Sequence, residues 1–216
     1  MRKCSVINCD EKHKSLGFCN RHYKQMKKFG KILERTNRDT NEFIINNDIC
    51  FMILYNIKCE ETARVKFYTK YYEQIAGLNL KWHLGSSGYA ESVWCDDYCV
   101  YHRITLHGAI IELSGQEVKE DQEIDHKDGD TLNCLDDNLR ICSHLQNTKN
   151  TKLQINNTSG QKGVCWHKRA NKWEAYIMNN YKKIPLGLFD NIVDAARAYN
   201  VAAIKYHGEF AKLNNV

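Results

Sequence analysis

Ile124-Asp125-His126-Lys127-Asp128-Gly129-Asp130-Thr131-Leu132-Asn133 is followed closely by Asn138-Leu139-Arg140-Ile141-Cys142, then by Ser143-His144-Leu145-Gln146-Asn147-Thr148-Lys149-Asn150. Residues 123–126 predict a short strand, and the Gly-, Asp- and Asn-rich run after it predicts a loop. Residues 138–142 predict a second strand. Ser143 and Gln146 make the S-x-x-Q pattern of a capping box, in which each side chain satisfies a backbone N–H of the other's residue, so a helix starts there. Two strands and a helix around one polar loop is a compact frame for side chains that must converge on a point.

Charge is distributed unevenly around this segment. Residues 1–31 hold nine basic against two acidic side chains, and residues 151–216 hold ten against four. The middle is net acidic, although the whole chain is +5. Basic ends suit a polyanion, because neutralising phosphates releases counterions. An acidic centre is compatible with a divalent cation. The bland alternative is that these runs are solvated faces, so the motifs must decide.

The chain has 216 residues, 43% of them hydrophobic, enough for two or three small cores. No apolar run reaches the roughly 18 residues of a membrane span, and the start leads into no secretory leader. A cytoplasmic protein is expected. In a reducing compartment ten cysteines point to metal ligands and buried thiols rather than disulfides.

Upstream, Cys4, Cys9, Cys19 and His22 read C-x4-C-x9-C-x2-H, thiolates and an imidazole of the kind tetrahedral Zn2+ takes. Some thirty residues bury too little surface to fold alone, and a metal supplies the missing stability. The competing reading is three unliganded thiols and a surface histidine. A helix from Arg21 ends at Gly30, with Tyr23, Met26 and Phe29 on one face and Lys24, Lys27, Lys28 and Lys31 exposed toward phosphates. Residues 32–100 are the least informative, a poorly defined α/β lead-in or spacer. Within them Cys50–Tyr55 predicts a buried strand, Val65–Tyr72 a strand or a strand then helix, and Trp82–Ala90 a hairpin. Cys95-x3-Cys99, near His102 and His107, lacks a clear second half as a metal site and reads more readily as core cysteines.

Downstream, after the polar linker from Ile155, three strands are predicted at 163–167, 172–178 and 183–188. Asp190-Asn191-Ile192-Val193-Asp194 then precedes an Ala-rich helix that runs to about Tyr206, with Asn191 and Asp194 as an N-cap pair near its positive end. Ala195, Tyr199, Ala202 and Tyr206 form a stripe that packs on the sheet, and His207-Gly208 ends the helix.

For the central segment, an Asp/Asn/Gly-rich turn would explain any one residue. The joint spacing D-H-x2-G-x3-N-x4-N-L-R-x6-N-x2-N speaks against chance. Phosphodiester hydrolysis needs an activated water and a hard cation to stabilise charge, and a neutral histidine is a suitable base near pH 7. The pattern resembles the HNH family of phage homing endonucleases. That resemblance implies a ββα-metal core in which Asp125 and Asn147 hold Mg2+ (or Mn2+) and His126 is the general base. It further implies that Asn138 holds the loop in place, with Asn133 and Asn150 supporting. Many relatives carry histidine where Asn147 stands, and His144 on the same face is a lesser candidate for the metal. The Cys-Cys-Cys-His start resembles the short zinc module at the front of such endonucleases. Trp82, Gly88-Tyr89 and His102-Arg103 resemble, loosely, the strands that lead into them.

The last unit, Ser159–Asn214, resembles the AP2 DNA-binding domain through Gly163-Val164, Lys172-Trp173-x-Ala175, Leu186-Gly187-x-Phe189-Asp190, Ala195-Ala196-x-Ala198-Tyr199 and Ala202-Ala203. In that family a three-stranded sheet enters the major groove. The candidates here are Trp166, Lys168, Arg169, Lys172, Tyr176, Lys182 and Lys183, with Lys24, Lys27 and Lys28 adding contacts from the zinc module. Cys165 and Met178 replace common arginines, which points to different base readout. Trp166 has a core alternative, and Trp173 reads as core.

The expected class is α+β: a zinc module (1–31), a lead-in (32–100), a ββα-metal core (101–154) and an AP2-type sheet packed on one helix (159–216). The expected activity is metal-dependent, sequence-biased cleavage of double-stranded DNA by a monomer or weak dimer, with no membrane and no small-molecule substrate. The rival is a non-catalytic DNA-binding regulator that keeps the zinc and AP2 units around a spent core.

Overall fold

The computed structural model describes residues 2–7, 9–33, 35–36, 39–151, 153 and 156–216; Ile155, where the predicted linker begins, lies outside the described residues. At the N-terminus, α1 (Asn20–Phe29) ends at Gly30, whose left-handed φ of 69° lets its N–H return to Met26 O. The helix buries His22 and Gln25. Tyr23 and Met26 are only half-buried and Phe29 is exposed, contrary to the expected apolar stripe. The reason is that a metal-sized cluster, not an apolar core, lies under this helix.

The stretch that looked undefined carries two sheets and their helices among its described residues. β1 (Phe43–Asn46), β2 (Ile49–Tyr55) and β3 (Glu61–Tyr68) form an antiparallel sheet in that order, followed by a 3-10 turn (Thr69–Tyr71) and α2 (Tyr72–Gly77). A second sheet runs β4 (His83–Leu84), β5 (Ala90–Cys95), β6 (Tyr101–Thr105), and leads into α3 (Leu106–Leu113). Asn41 clips the two sheets together: its amide donates to Ile53 O and Trp82 O and accepts from Trp82 N, all within 2.9 Å.

The expected strand–loop–strand–helix follows as β7 (Gln122–His126), β8 (Leu139–Ser143) and α4 (His144–Lys149), with both halves of the Ser143/Gln146 capping box made. One apolar cluster unites this motif with its lead-in. Met52, Leu54, Val65, Phe67, Ile75 and Trp82 pack with Leu106, Ile110, Cys134 and Leu139. The segment that reads as a spacer in the sequence is therefore the motif's own core.

Its sheet also holds the motif's loop. Lys66 N donates to Leu132 O (2.9 Å) and Cys134 N to Lys66 O (2.8 Å), so residues 132–134 run parallel to β3 along its free edge. Tyr71 Oη and Lys70 Nζ both donate to Asp136 Oδ2, and Thr131 Oγ1 donates to Gly88 O.

The C-terminal unit is β9 (Val164–His167), β10 (Lys172–Asn179) and β11 (Lys182–Phe189), with β10 central and all pairs antiparallel, covered by α5 (Ile192–His207). Asn191 caps α5 through Val193 N, and Ala195, Ala196, Tyr199, Ala202 and Ala203 are buried against the sheet, as the stripe predicted. Small alanines let helix and sheet approach closely. Gly163 has φ +69°, and a Cβ there would sit 2.1 Å from the Tyr199 ring and 2.5 Å from Tyr176 O. Among the described residues no helix is long and apolar enough to cross a membrane.

Candidate active site and nucleic-acid interface

β7 places Glu123 and Asp125 on one face, because side chains two apart on a strand share a face. α4 and the residue after it set Asn147 and Asn150 against that face. The Asn147 amide donates to Glu123 Oε2 (2.6 Å), which leaves its carbonyl oxygen for another partner. His144, exposed, is also held by Glu123, with Nδ1 at 2.7 Å from Oε1. These bonds hold the Glu123 carboxyl below its usual range, Asn147 contributing most. The sequence reading places Glu123 in the strand but gives it no site role; its i, i+2 spacing to Asp125 was the signal available.

Asp125 is buried and answered by two partners. Arg140 donates Nε (2.8 Å) and Nη2 (2.6 Å) to Oδ2, and Asn150 reaches both carboxylate oxygens. Asn150 also donates to His126 O, tying the end of α4 to β7. Oδ1 accepts the Asn150 amide at 2.9 Å and keeps capacity for another ligand.

The loop is closed on itself. Asn138 Nδ2 donates to Asp128 Oδ1 and Asn133 O, and Asn138 Oδ1 accepts Asp128 N. Asn133 Nδ2 donates to Asp128 Oδ2 at 2.6 Å. His126 is buried at the mouth of this loop, 4.0 Å from Cys134 Sγ. Burial lowers its pKa, and Asp128, Asp125 and Asp130 only partly oppose that. It is therefore neutral near pH 7, the form a general base needs.

Two further rings enclose His126. His107 of α3 meets it edge-on at 5.1 Å between centroids, and Tyr89 lies 5.7 Å away and 4.8 Å from His107. Burial, with the neighbouring His126, takes the His107 pKa down to about 4, and its buried Nδ1 has no hydrogen-bond partner among the described residues. The sequence reading gave His107 no such role, since nothing local links residue 107 to residue 126.

At the other end of the chain, Cys4, Cys9, Cys19 and His22 present one ligand atom each within 4.8 Å of one another. Cys4 Sγ and Cys19 Sγ stand 3.2 and 3.5 Å from His22 Nδ1, and Cys9 and Cys19 are 3.9 Å apart. Tetrahedral Zn2+ with thiolates at about 2.3 Å sets edges of roughly this length. Burial opposes a thiolate at Cys4, yet hydrogen bonds led by His22 take its pKa down to about 6. Among the described residues this is the one cluster of three or more such side chains; Cys95 and Cys99 are exposed and join none.

On the C-terminal sheet, register sorts the expected DNA contacts. Lys172, Tyr176 and Lys183 share the face away from α5 with Glu174 and Met178, Lys183 pairing with Glu174 (2.8 Å) and capping the Tyr176 ring. Lys168 and Arg169 are exposed in the β9–β10 turn. Trp166 pairs with Trp173 and packs edge-on to it at 5.0 Å, on the α5 side. Trp166 remains 43% exposed there, off the face that carries Lys172, Tyr176 and Lys183. Lys182, opposite Asn179, is exposed on that same side by strand alternation. Lys24, Lys27 and Lys28 are exposed on α1.

Two strands, a polar loop and a helix around Asp125, His126, Asn138 and Asn147 define an HNH-type nuclease core, and residues 106–149 match the HNH endonuclease family model. Protein 3.8 of Escherichia phage T7 is 31% identical over 106 residues, covering 49% of this chain and 87% of that protein. The chain belongs to the family of that phage protein and carries an HNH endonuclease domain, which supports nuclease activity with DNA as the substrate class. The Uncharacterized HNH endonuclease L560 of Acanthamoeba polyphaga mimivirus is 27% identical across 88% of this chain and 94% of its own length. The C-terminal unit matches APETALA2-like protein 2 of Oryza sativa at 42% identity over 57 residues, a stretch covering 13% of that plant protein.

Proposed function

We propose that the chain is a metal-dependent, sequence-biased endonuclease of the homing type that nicks double-stranded DNA. The observation that carries this reading is the intact hydrogen-bonded loop, in which Asn138, Asp128 and Asn133 hold a buried, neutral His126 beside Asp125.

The donors present fit a hard cation. The Asp125 carboxylate and the Asn147 carbonyl are oxygen ligands of the type Mg2+ or Mn2+ takes, and they would hold one such ion. When bound, the ion would supply charge stabilisation at the scissile phosphate and at the leaving oxygen. His126 takes a proton from the attacking water. Asn138 keeps the loop that carries His126 in shape, Asn133 braces Asp128, and Asn150 fixes the strand to the helix. The Cys4, Cys9, Cys19, His22 set would hold Zn2+ and fold the N-terminal unit around it.

The C-terminal sheet acts as an AP2-type reader. Lys168, Arg169, Lys172, Tyr176 and Lys183 face the duplex, while Lys182 and the α1 lysines add phosphate contacts. One nuclease centre per chain cuts one strand, so a monomer nicks and a weak dimer is needed for a double-strand break.

The test is supercoiled plasmid carrying source genomic DNA, incubated with and without Mg2+ beside His126→Ala. Nicking that needs the metal and is lost in His126→Ala is the expected result. Tight binding without cleavage across Mg2+ and Mn2+ would replace this reading with the non-catalytic regulator.

A further inference from the structure

The segment that follows α5 leaves the reader and lies on the nuclease centre. Phe210 is buried, and the Arg140 guanidinium stacks 3.7 Å above the centre of its ring. Arg140 Nη1 donates to Glu209 O at 2.8 Å, while its Nε and Nη2 hold Asp125 Oδ2. Two residues on, Lys212 Nζ donates to Asp128 O, in the loop that carries His126 (2.8 Å). The same segment is fastened to the reader. Asn214 Oδ1 accepts Lys162 N, Asn214 Nδ2 donates to Lys162 O, and Asn214 and Asn200 exchange two more bonds.

Arg140 is thus satisfied on two sides by different units. A guanidinium presents donors in a fixed plane, so its orientation toward a carboxylate is set by whatever fixes the plane. Here that is the Phe210 ring and the Glu209 carbonyl, because the Arg140 side chain is only 11% exposed and has little freedom once they are in place. A group that orients a metal-ligating carboxylate affects metal affinity without touching the metal.

We propose that Phe210, carried by the reader, is a positioning residue of the nuclease centre: it fixes Arg140, which aims Asp125 at the divalent cation. This rests on the reading of Asp125 as a ligand. The reader is thereby a structural part of the catalytic centre as well as its means of finding DNA.

The experiment uses the full, zinc-loaded chain as wild type, Phe210→Ala and Phe210→Tyr. Free Mn2+ is titrated by electron paramagnetic resonance, plasmid nicking gives kcat and KM, and gel shift in EDTA gives DNA affinity. Phe210→Ala is expected to weaken Mn2+ binding and lower kcat by about tenfold, the usual scale for a group supporting a metal ligand. KM and metal-free DNA affinity stay at the wild-type values, and Phe210→Tyr, which keeps the ring, restores both losses. Wild-type Mn2+ affinity in Phe210→Ala, or DNA affinity falling in step with kcat, overturns the proposal. If Phe210→Ala loses its circular dichroism, Phe210→Leu replaces it, keeping apolar bulk at the buried position while removing the ring under Arg140, with the same expected direction in both readouts and the same overturning results. A wild-type protein that binds Mn2+ but nicks no DNA would defeat the nuclease reading while leaving the Mn2+ comparison to decide the role of Phe210.

Discussion

Asn138 and Asp128 grip each other twice: the Asn138 amide donates to Asp128 Oδ1 at 3.0 Å, and the Asp128 main-chain N–H donates back to Asn138 Oδ1 at 3.1 Å. A third bond from the same amide reaches Asn133 O. Asn138→Ala removes all three. The loss should cost about 1–3 kcal/mol, since groups left without partners lose more than an average hydrogen bond. A thermal melt measures that cost, and nicking assays should show a larger effect on kcat than on KM. A variant with wild-type kcat would mean that the loop holds His126 without Asn138.

Removing Zn2+ should unfold only the N-terminal unit. That unit is organised around the four-ligand cluster, whereas the nuclease core is built on the separate apolar cluster of Met52, Phe67, Ile110 and Leu139. Chelation should release one zinc per chain, counted by mass spectrometry of the metal. Hydrogen exchange should then quicken within residues 2–33 and stay slow in β2 and β3. Cys19→Ala should do the same without chelator. A chelated protein with unchanged exchange throughout would refute the zinc assignment.

His107 gives the fold a dependence on pH. Its folded pKa is about 4, and its unfolded value is the ordinary one near 6.5. The unfolded chain therefore takes up a proton first as pH falls. The stability owed to neutral His107 is complete above pH 6.5, declines below it, and is lost by about pH 4. His107→Phe keeps a ring against Tyr89 and His126 and removes the unpartnered Nδ1. Its denaturation midpoint should rise relative to wild type at pH 5 and differ less at pH 8. Parallel pH profiles for the two proteins would rule out this titration.

Lys168 and Arg169 are exposed in the β9–β10 turn of the C-terminal sheet. Each phosphate contact contributes about 0.9 to the slope of log affinity against log salt concentration. Replacing both with alanine should therefore lower that slope by up to about 2, measured by fluorescence anisotropy across a salt series. Circular dichroism should be unchanged. An unaltered slope would take the turn off the DNA.

Much of this molecule is legible locally. The capping box at Ser143, the C-x4-C-x9-C-x2-H spacing, the alternation in 172–178 and the alanine stripe of α5 each report a backbone period or a ligand spacing, and each element formed where it was expected. Short-range sterics and hydrogen bonding set such features, so the nearest few residues carry the information. The face of Trp166 was a different kind of question. It depends on the pairing of β9 with β10, and a shift of one residue in that register would have reversed the answer.

What the sequence determined by itself was the inventory: a ββα motif with its Asp125, His126, Asn138 and Asn147, a Cys3His set with metal-ligand spacing, and a three-stranded sheet under a helix. Only the tertiary structure decided how distant pieces complete one another. It laid residues 132–134 along the edge of β3, enclosed His126 with Tyr89 and His107, and brought Phe210 beneath Arg140. The physical reason is that these contacts join segments separated by tens of residues. They are fixed by which apolar faces and open strand edges can be buried together, and no local pattern records that choice.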